Sequence, residues 1–263
     1  MRVWTTALLS CLSLTLVACG SGQSSPPAPT SGSLSGNWLI TLNRQANPQP
    51  LTYSGFLLQA GKSVTGSLIL GGGCQGVGPV TGTLDGQNLQ LDVNEFGQNL
   101  TLTGTFPADG SSDAFVGGPF STLNGGCTGT SSGTWSAIRI APMTGSFHGT
   151  LVSAASNGTV NVAGALTQGP NVGASNADFS GNMTTSSLPP FCLYVTTATI
   201  TGTISGTTVS LDFFGPNGSQ LNFVPIAATV TPDGSSLTAS QYSFQGISKS
   251  CTGDIGTLQL SFP

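Results

Sequence analysis

Thr81-Gly-Thr-Leu-Asp-Gly-Gln-Asn-Leu-Gln-Leu-Asp92 returns further along the chain as Thr201-Gly-Thr-Ile-Ser-Gly-Thr-Thr-Val-Ser-Leu-Asp212. The match extends outward on both sides. Asp109-Gly-Ser-Ser112 corresponds to Asp233-Gly-Ser-Ser236, and in both copies the glycine stands 17 residues before a Cys-Thr-Gly, at Cys127 and at Cys251. Upstream, Cys74 and Cys192 occupy corresponding places. The offset between copies grows from 118 residues at the first cysteines to 124 at the last, which puts the extra residues in loops. Internal self-similarity at this spacing means one structural unit built twice.

Within each copy the apolar period is two. In Asn99-Leu-Thr-Leu-Thr-Gly-Thr-Phe106, Leu100, Leu102 and Phe106 share one face, and Thr101, Thr103 and Thr105 share the other. Ala198, Ile200 and Ile204 alternate with Thr197, Thr199, Thr201 and Thr203, and Val209, Leu211 and Phe213 continue the pattern. These are half-buried antiparallel strands. Turn dipeptides punctuate them: Asp85-Gly86, Asn124-Gly125, Asn157-Gly158, Asn217-Gly218 and Asp233-Gly234. No segment after residue 33 carries a helical stripe. The expectation is an all-β protein of two tandem antiparallel units, residues 34–140 and 141–263, with about eight strands each. An up-and-down barrel is favoured because closure removes exposed edges and glycine-rich strands curve strongly; a two-sheet sandwich is the alternative.

The first residues set a different kind of expectation. Met1-Arg2 precedes an uncharged apolar run from Val3 to Ala18, the layout of an export signal. It ends at Leu16-Val17-Ala18-Cys19-Gly20, which resembles the lipobox of bacterial lipoproteins. The resemblance implies removal of residues 1–18 and diacylation of Cys19, with palmitate-like chains holding the protein to a membrane of the cell envelope. Gly20 after the cysteine, by the same resemblance, implies outer-membrane sorting in a diderm host. Residues 20–33, GSGQSSPPAPTSGS, carry no charge and no large apolar group, so the segment 19–33 reads as a lipidated flexible tether. Each acyl chain contributes about 0.8 kcal/mol per buried methylene, and several chains anchor durably where one does not.

Composition excludes more than it assigns. Removing 18 of 263 residues leaves 245, enough for one large or two small β domains. The remainder keeps Arg44, Lys62, Arg139 and Lys249 against nine acids, so nucleic acid is an improbable partner. Four cysteines stay after Cys11 leaves with the signal and Cys19 takes lipid. Of the three possible connectivities, the repeat makes Cys74–Cys127 and Cys192–Cys251 the economical pair, one staple per unit, with cross-unit pairing or free thiols as the alternatives. A staple closing more than fifty residues is worth about 4 kcal/mol on a chain-entropy argument. With a single histidine and no Cys-x-x-Cys, a zinc site is not expected.

Chemistry-bearing patterns are few. Gly129-Thr-Ser131-Ser-Gly133 fits a nucleophile elbow but lies among strands, where the elbow needs a helix to follow, and nothing places His148 beside Ser131. Gly71-Gly-Gly-Cys-Gln-Gly76 fits a dinucleotide string, again with no helix after it. Asp109, Asp113 and Asp233 lack the acidic density of a calcium loop and read as turn caps. No carboxylate pair stands out for glycoside chemistry. No catalytic residue, cofactor or metal is therefore expected. Gly36-Asn37-Trp38 resembles the Gly-x-Trp signature opening the first strand of lipocalins, which implies a barrel, a covering arginine at Arg139 and a small apolar ligand; the second copy has Gly145-Ser146-Phe147 and no such arginine. Two functions remain: a structural or interaction module of the envelope, favoured because it demands less, and a tethered lipocalin-like binder. Partners would be the membrane through the lipid, then an envelope protein, a glycan or a small apolar ligand. Large inward residues favour the first function and a hollow lumen the second.

Overall fold

The computed structural model describes residues 33–45, 47–107, 114–122, 126–127, 132–171, 174–186, 196–248 and 251–263. Within them the chain is all β, without an α-helix, and forms two closed eight-stranded barrels in tandem. The first runs through β1 (Gly36–Arg44), β2 (Asn47–Ala60), β3 (Ser63–Leu70), β4 (Gly76–Asp85), β5 (Asn88–Glu95), β6 (Gln98–Thr105), β7 (Ala114–Thr122) and β8 (Ser132–Ile140). The second comprises β9 (Gly145–Ser153), β10 (Thr159–Gln168), β11 (Ala177–Thr185), β12 (Thr197–Ser205), β13 (Thr208–Phe214), β14 (Ile226–Val230), β15 (Ser236–Ser248) and β16 (Cys251–Ser261). Within each barrel every strand is antiparallel to its sequence neighbour, and closure comes from β1 on β8 and β16 on β9. The barrel is thus realised and the sandwich is not, because closure pairs both strands that would otherwise be edges.

The copies differ in their connections. Eight residues separate β10 from β11 where two separate β2 from β3, and eleven separate β11 from β12 where five separate β3 from β4. These two connections raise the offset from 109 residues, Gly36 against Gly145, to 120, Thr81 against Thr201, and the eleven residues between β13 and β14, against two between β5 and β6, lie where it grows further.

The alternating residues point inward as their period demands. Leu100, Leu102, Phe106, Ile200, Ile204, Val209, Leu211 and Phe213 are all buried. The lumens are filled by large side chains, with Trp38, Tyr53, Phe120 and Trp135 fully buried in the first barrel and Phe213, Tyr242 and Phe244 in the second. Inward glycines are not holes. A Cβ on Gly202 would lie 2.4 Å from the Phe179 ring, and one on Gly117 would lie 2.2 Å from the Trp135 indole. The glycine makes room and the neighbouring ring takes it, which preserves close packing.

The barrels are docked, side against end. Phe56, on the outer face of the first barrel, and Ile140 join the core cluster of the second barrel, and Leu39 and Ile138 pack against it. Asn37, buried beside them, grips the turn between β12 and β13: its Nδ2 donates to the Gly206 carbonyl at 2.9 Å and its Oδ1 accepts from the Gly206 N–H at 2.7 Å. The Ser54 and Ser205 hydroxyls meet at 3.2 Å alongside. Gly206 has φ +55°, and a Cβ there would come within 2.5 Å of the Ser54 side chain. The same turn in the first barrel, at Gly86 with φ +64°, is open, and Asp85 beside it forms an exposed ion pair with Lys62.

This pair of turns separates backbone strain from docking. Gly86→Ala is expected to cost about 1 kcal/mol, the penalty of a left-handed non-glycine residue. Gly206→Ala pays the same penalty and also breaks the inter-barrel contact, so thermal denaturation should show a clearly larger loss of Tm. Equal losses would mean the contact contributes nothing.

Candidate functional site

A binding site could sit inside a barrel, at its ends or on its outer wall, and the side chains decide among these. Both lumens are occupied by core residues. At the end where β1 begins, the Trp38 indole N–H donates to the Leu34 carbonyl at 2.7 Å, and the Arg139 guanidinium lies 4.9 Å over the Trp38 ring while donating to the Ser33 carbonyl. The arginine thus covers the tryptophan as expected, and the assembly is a lid. At the opposite end the Cys74–Cys127 disulfide spans 53 residues and ties the β3–β4 connection to the β7–β8 connection. Beneath it the buried carboxylate of Glu95 accepts from the Tyr53 hydroxyl and from the Cys127 N–H at 2.8 Å.

The second barrel has its own knots. Buried Asp254 accepts from the Ser153 hydroxyl at 2.7 Å and the Tyr242 hydroxyl at 2.6 Å. Asn222, wholly buried between β13 and β14, accepts from the Phe213 N–H and donates to Asp212 and the Val224 carbonyl, each at 2.8 Å. These polar groups are spent on each other, as buried polar groups must be. Burial first, then the bond to a carboxylate, pushes the Tyr53 and Tyr242 hydroxyls well above the ordinary phenol range.

A concavity of about 520 Å³ lies on the outer wall of the second barrel, over β16, β9, β10 and β11. Strand register explains its lining. Outward residues fall into cross-strand rows: Ser261 opposite His148, His148 opposite Ala163, and Ala163 opposite Thr184 form one, and Gln259 opposite Thr150 with Thr150 opposite Asn161 forms the next. The lining carries hydroxyls, amides and one imidazole, with no Asp, Glu, Lys or Arg. Gly149, Val162 and Ala163 set apolar surface among those donors and acceptors.

The residues singled out from sequence are distributed as follows. Cys74 and Cys127 are joined, and Trp38 and Arg139 are in contact. Cys19 and Cys192 lie outside the described residues, as do Asp109, Asp113 and Ser131; Cys251 opens β16 with its side chain undescribed. His148 sits on the outer wall of the second barrel, whereas the Gly-x-Ser-x-Gly stretch leads into β8 of the first. The glycine string 71–76 leads into β4. Asp233 caps its turn, accepting from the hydroxyls of Thr231 and Ser235 and the Ser235 N–H, and those bonds lower its pKa to about 2. Among the described residues, no three of the types His, Cys, Asp and Glu come together as a metal cage. The outer-wall concavity and the knots on Glu95 and Asp254 were not foreseen. For the concavity a signal existed: His148 stands where the first copy has Leu39.

No protein-family model matches the chain, and no curated protein matches it in sequence. Among solved structures it is similar to the hemagglutinin of Myxococcus xanthus in complex with a mannopentaose, at 13% identity over 86% of this chain and 100% of that one, with a TM-score of 0.22. It is also similar to the agglutinin of Burkholderia oklahomensis, at 12% identity over 90% and 100%, with a TM-score of 0.21. A third is a mutant of the vaccine antigen transferrin binding protein B from Haemophilus parasuis, at 9% identity over 81% of this chain and 60% of that one, with a TM-score of 0.27. Neither ligand nor activity passes from them to this chain.

The tyrosines give a pH signature. Because the folded state holds their protons more tightly than the unfolded chain, their stabilising contribution is intact below the free tyrosine value near about 10 and is lost as pH rises past it. Urea midpoints measured upward through that range should fall, and Tyr242→Phe should make the fall shallower. A variant with the parent's slope would show that Tyr242 is not the coupled group.

Proposed function

We propose that this chain is an envelope lipoprotein, cut before Cys19 and anchored by acyl groups on that residue, whose barrels act as interaction modules through their outer walls. The observation that carries the reading is the filling of both lumens by Trp, Tyr, Phe and Leu side chains. An eight-stranded barrel is just wide enough either to be packed solid or to hold one small ligand, and these are packed. The lipocalin-like alternative needs the space that Trp38, Tyr53 and Trp135 occupy in the first barrel and Phe213, Tyr242 and Phe244 occupy in the second. The reading includes no catalytic step: the buried carboxylates Glu95 and Asp254 are committed to tyrosine hydroxyls and to backbone or serine donors. The leader and the uncharged tether support export and anchoring, and the outer membrane is the destination the residue after Cys19 favours.

Two measurements test this. Cells expressing the full chain and fed labelled palmitate should incorporate label, and Cys19→Ser should abolish incorporation and release the protein from the membrane fraction; label retained in the variant would remove the lipoprotein reading. Native mass spectrometry on the chain from Ser21 should give the apo mass, and denaturation should leave it lower than the reduced mass by the hydrogens of two disulfides. A defined small-molecule adduct lost on denaturation would restore the lumen-binding alternative.

A further inference from the structure

The two barrels use equivalent walls differently. Aligning Gly36 with Gly145 and Gly55 with Gly164 places Leu39 opposite His148, Ser54 opposite Ala163 and Phe56 opposite Ala165, while the closing strands place Ile138 opposite Ser261. In the first barrel this wall, over β8, β1 and β2, is the one docked onto the second barrel. In the second barrel the corresponding wall, over β16, β9 and β10, is docked on nothing among the described residues and holds the outer concavity. At the matched positions a docking set of Leu, Phe and Ile has become His, Ala and Ser.

We infer that this wall of the second barrel is a binding site for a neutral carbohydrate, with His148, Thr150, Asn161, Gln259 and Ser261 as its hydrogen-bonding residues. The inference rests on the reading that partners are met on outer walls. Three observations carry it. Among the described residues these five side chains make no hydrogen bond within the protein, so their donors and acceptors are unspent. The set contains both donors and acceptors and no Asp, Glu, Lys or Arg, which suits a ligand that offers hydroxyls of both kinds and no charge. Ala163, exposed in its row between His148 and Thr184, adds a small apolar patch against which the C–H face of a sugar ring can lie.

A second copy of this chain is the competing occupant, since the first barrel shows that such a wall can accept a glycine turn. The first barrel's own turn at Gly86 is poorly suited to it. The turn is flanked by the charged Lys62–Asp85 pair, and the wall of the second barrel lacks the Phe56, Ile138 and Asn37 that make the internal contact.

The test is a glycan microarray carrying neutral and acidic glycans, probed with the chain from Ser21, followed by isothermal titration of the strongest neutral oligosaccharide. Asn161→Ala and His148→Ala should each weaken binding by about tenfold, the equivalent of one or two lost hydrogen bonds. Gln90→Ala, on the exposed wall of the first barrel, should leave it unchanged, and all three variants should keep the parent Tm. No retained neutral glycan, retention of acidic glycans alone, or binding indifferent to Asn161→Ala and His148→Ala would each overturn the site. Concentration-dependent self-association abolished by those variants would overturn it in favour of a second copy. Failure here with an apo native mass leaves the outer-wall reading standing, whereas a lumen adduct removes that reading itself.

Discussion

The core of the second barrel is not complete within the second barrel. Phe56 and Ile140 leave the outer face of the first barrel and enter that core, with Leu39 and Ile138 packed at its rim. Each large apolar side chain so buried is worth about 1.5–3 kcal/mol. The insertion is directional only because Asn37 reads both the N–H and the carbonyl of Gly206, and the glycine's left-handed backbone turns those two groups toward it. Apolar burial supplies the affinity and the paired amide bonds fix the register. Everything distinctive about this molecule follows: which wall of the first barrel is hidden, which wall of the second stays open, and why two copies of one unit are no longer interchangeable.

Each barrel also needs its far end sealed, and the chain does this with very little charge. The first uses a disulfide underpinned by Glu95, and the second uses Asn222 together with Asp254. The two carboxylates are not related by the repeat, since Glu95 closes β5 and Asp254 belongs to β16. Acids are scarce, and two of them are buried as acceptors for tyrosine. The outer walls are left to threonine, serine and amides, which are solvated without repelling a neutral neighbour.

Much of the fold was legible because period-two alternation, glycine turns and an internal repeat all report local geometry. The strand count and the Cys74–Cys127 staple follow from those signals, which also favour a closed barrel over a sandwich. Whether the lumen was hollow did not follow. Ala198, Ile200, Gly202 and Ile204 read equally as a lining or a filling, because the ring that occupies the space at Gly202 comes from Phe179 on the adjacent strand. Volume is a property of neighbours and not of a single strand. The role of Asn37 was illegible for a similar reason. Beside Trp38 it looked like the variable residue of a strand-opening signature, yet its partner lies 169 residues away. The outer-wall concavity was hidden because its rows run across β16, β9, β10 and β11, two of which are at opposite ends of the unit.

That separation has a temporal consequence. A ribosome delivers a chain from its N-terminus, and domains generally fold as units in that order. The wall that presents Asn37 and Phe56 is finished once β8 pairs with β1, before β9 has been made. The first barrel therefore stands as a template when the second forms, and the β12–β13 turn closes onto a surface that already exists. In a chain with the units exchanged, the barrel that needs a stopper would be born first and would wait, open at one end, for the piece that shuts it.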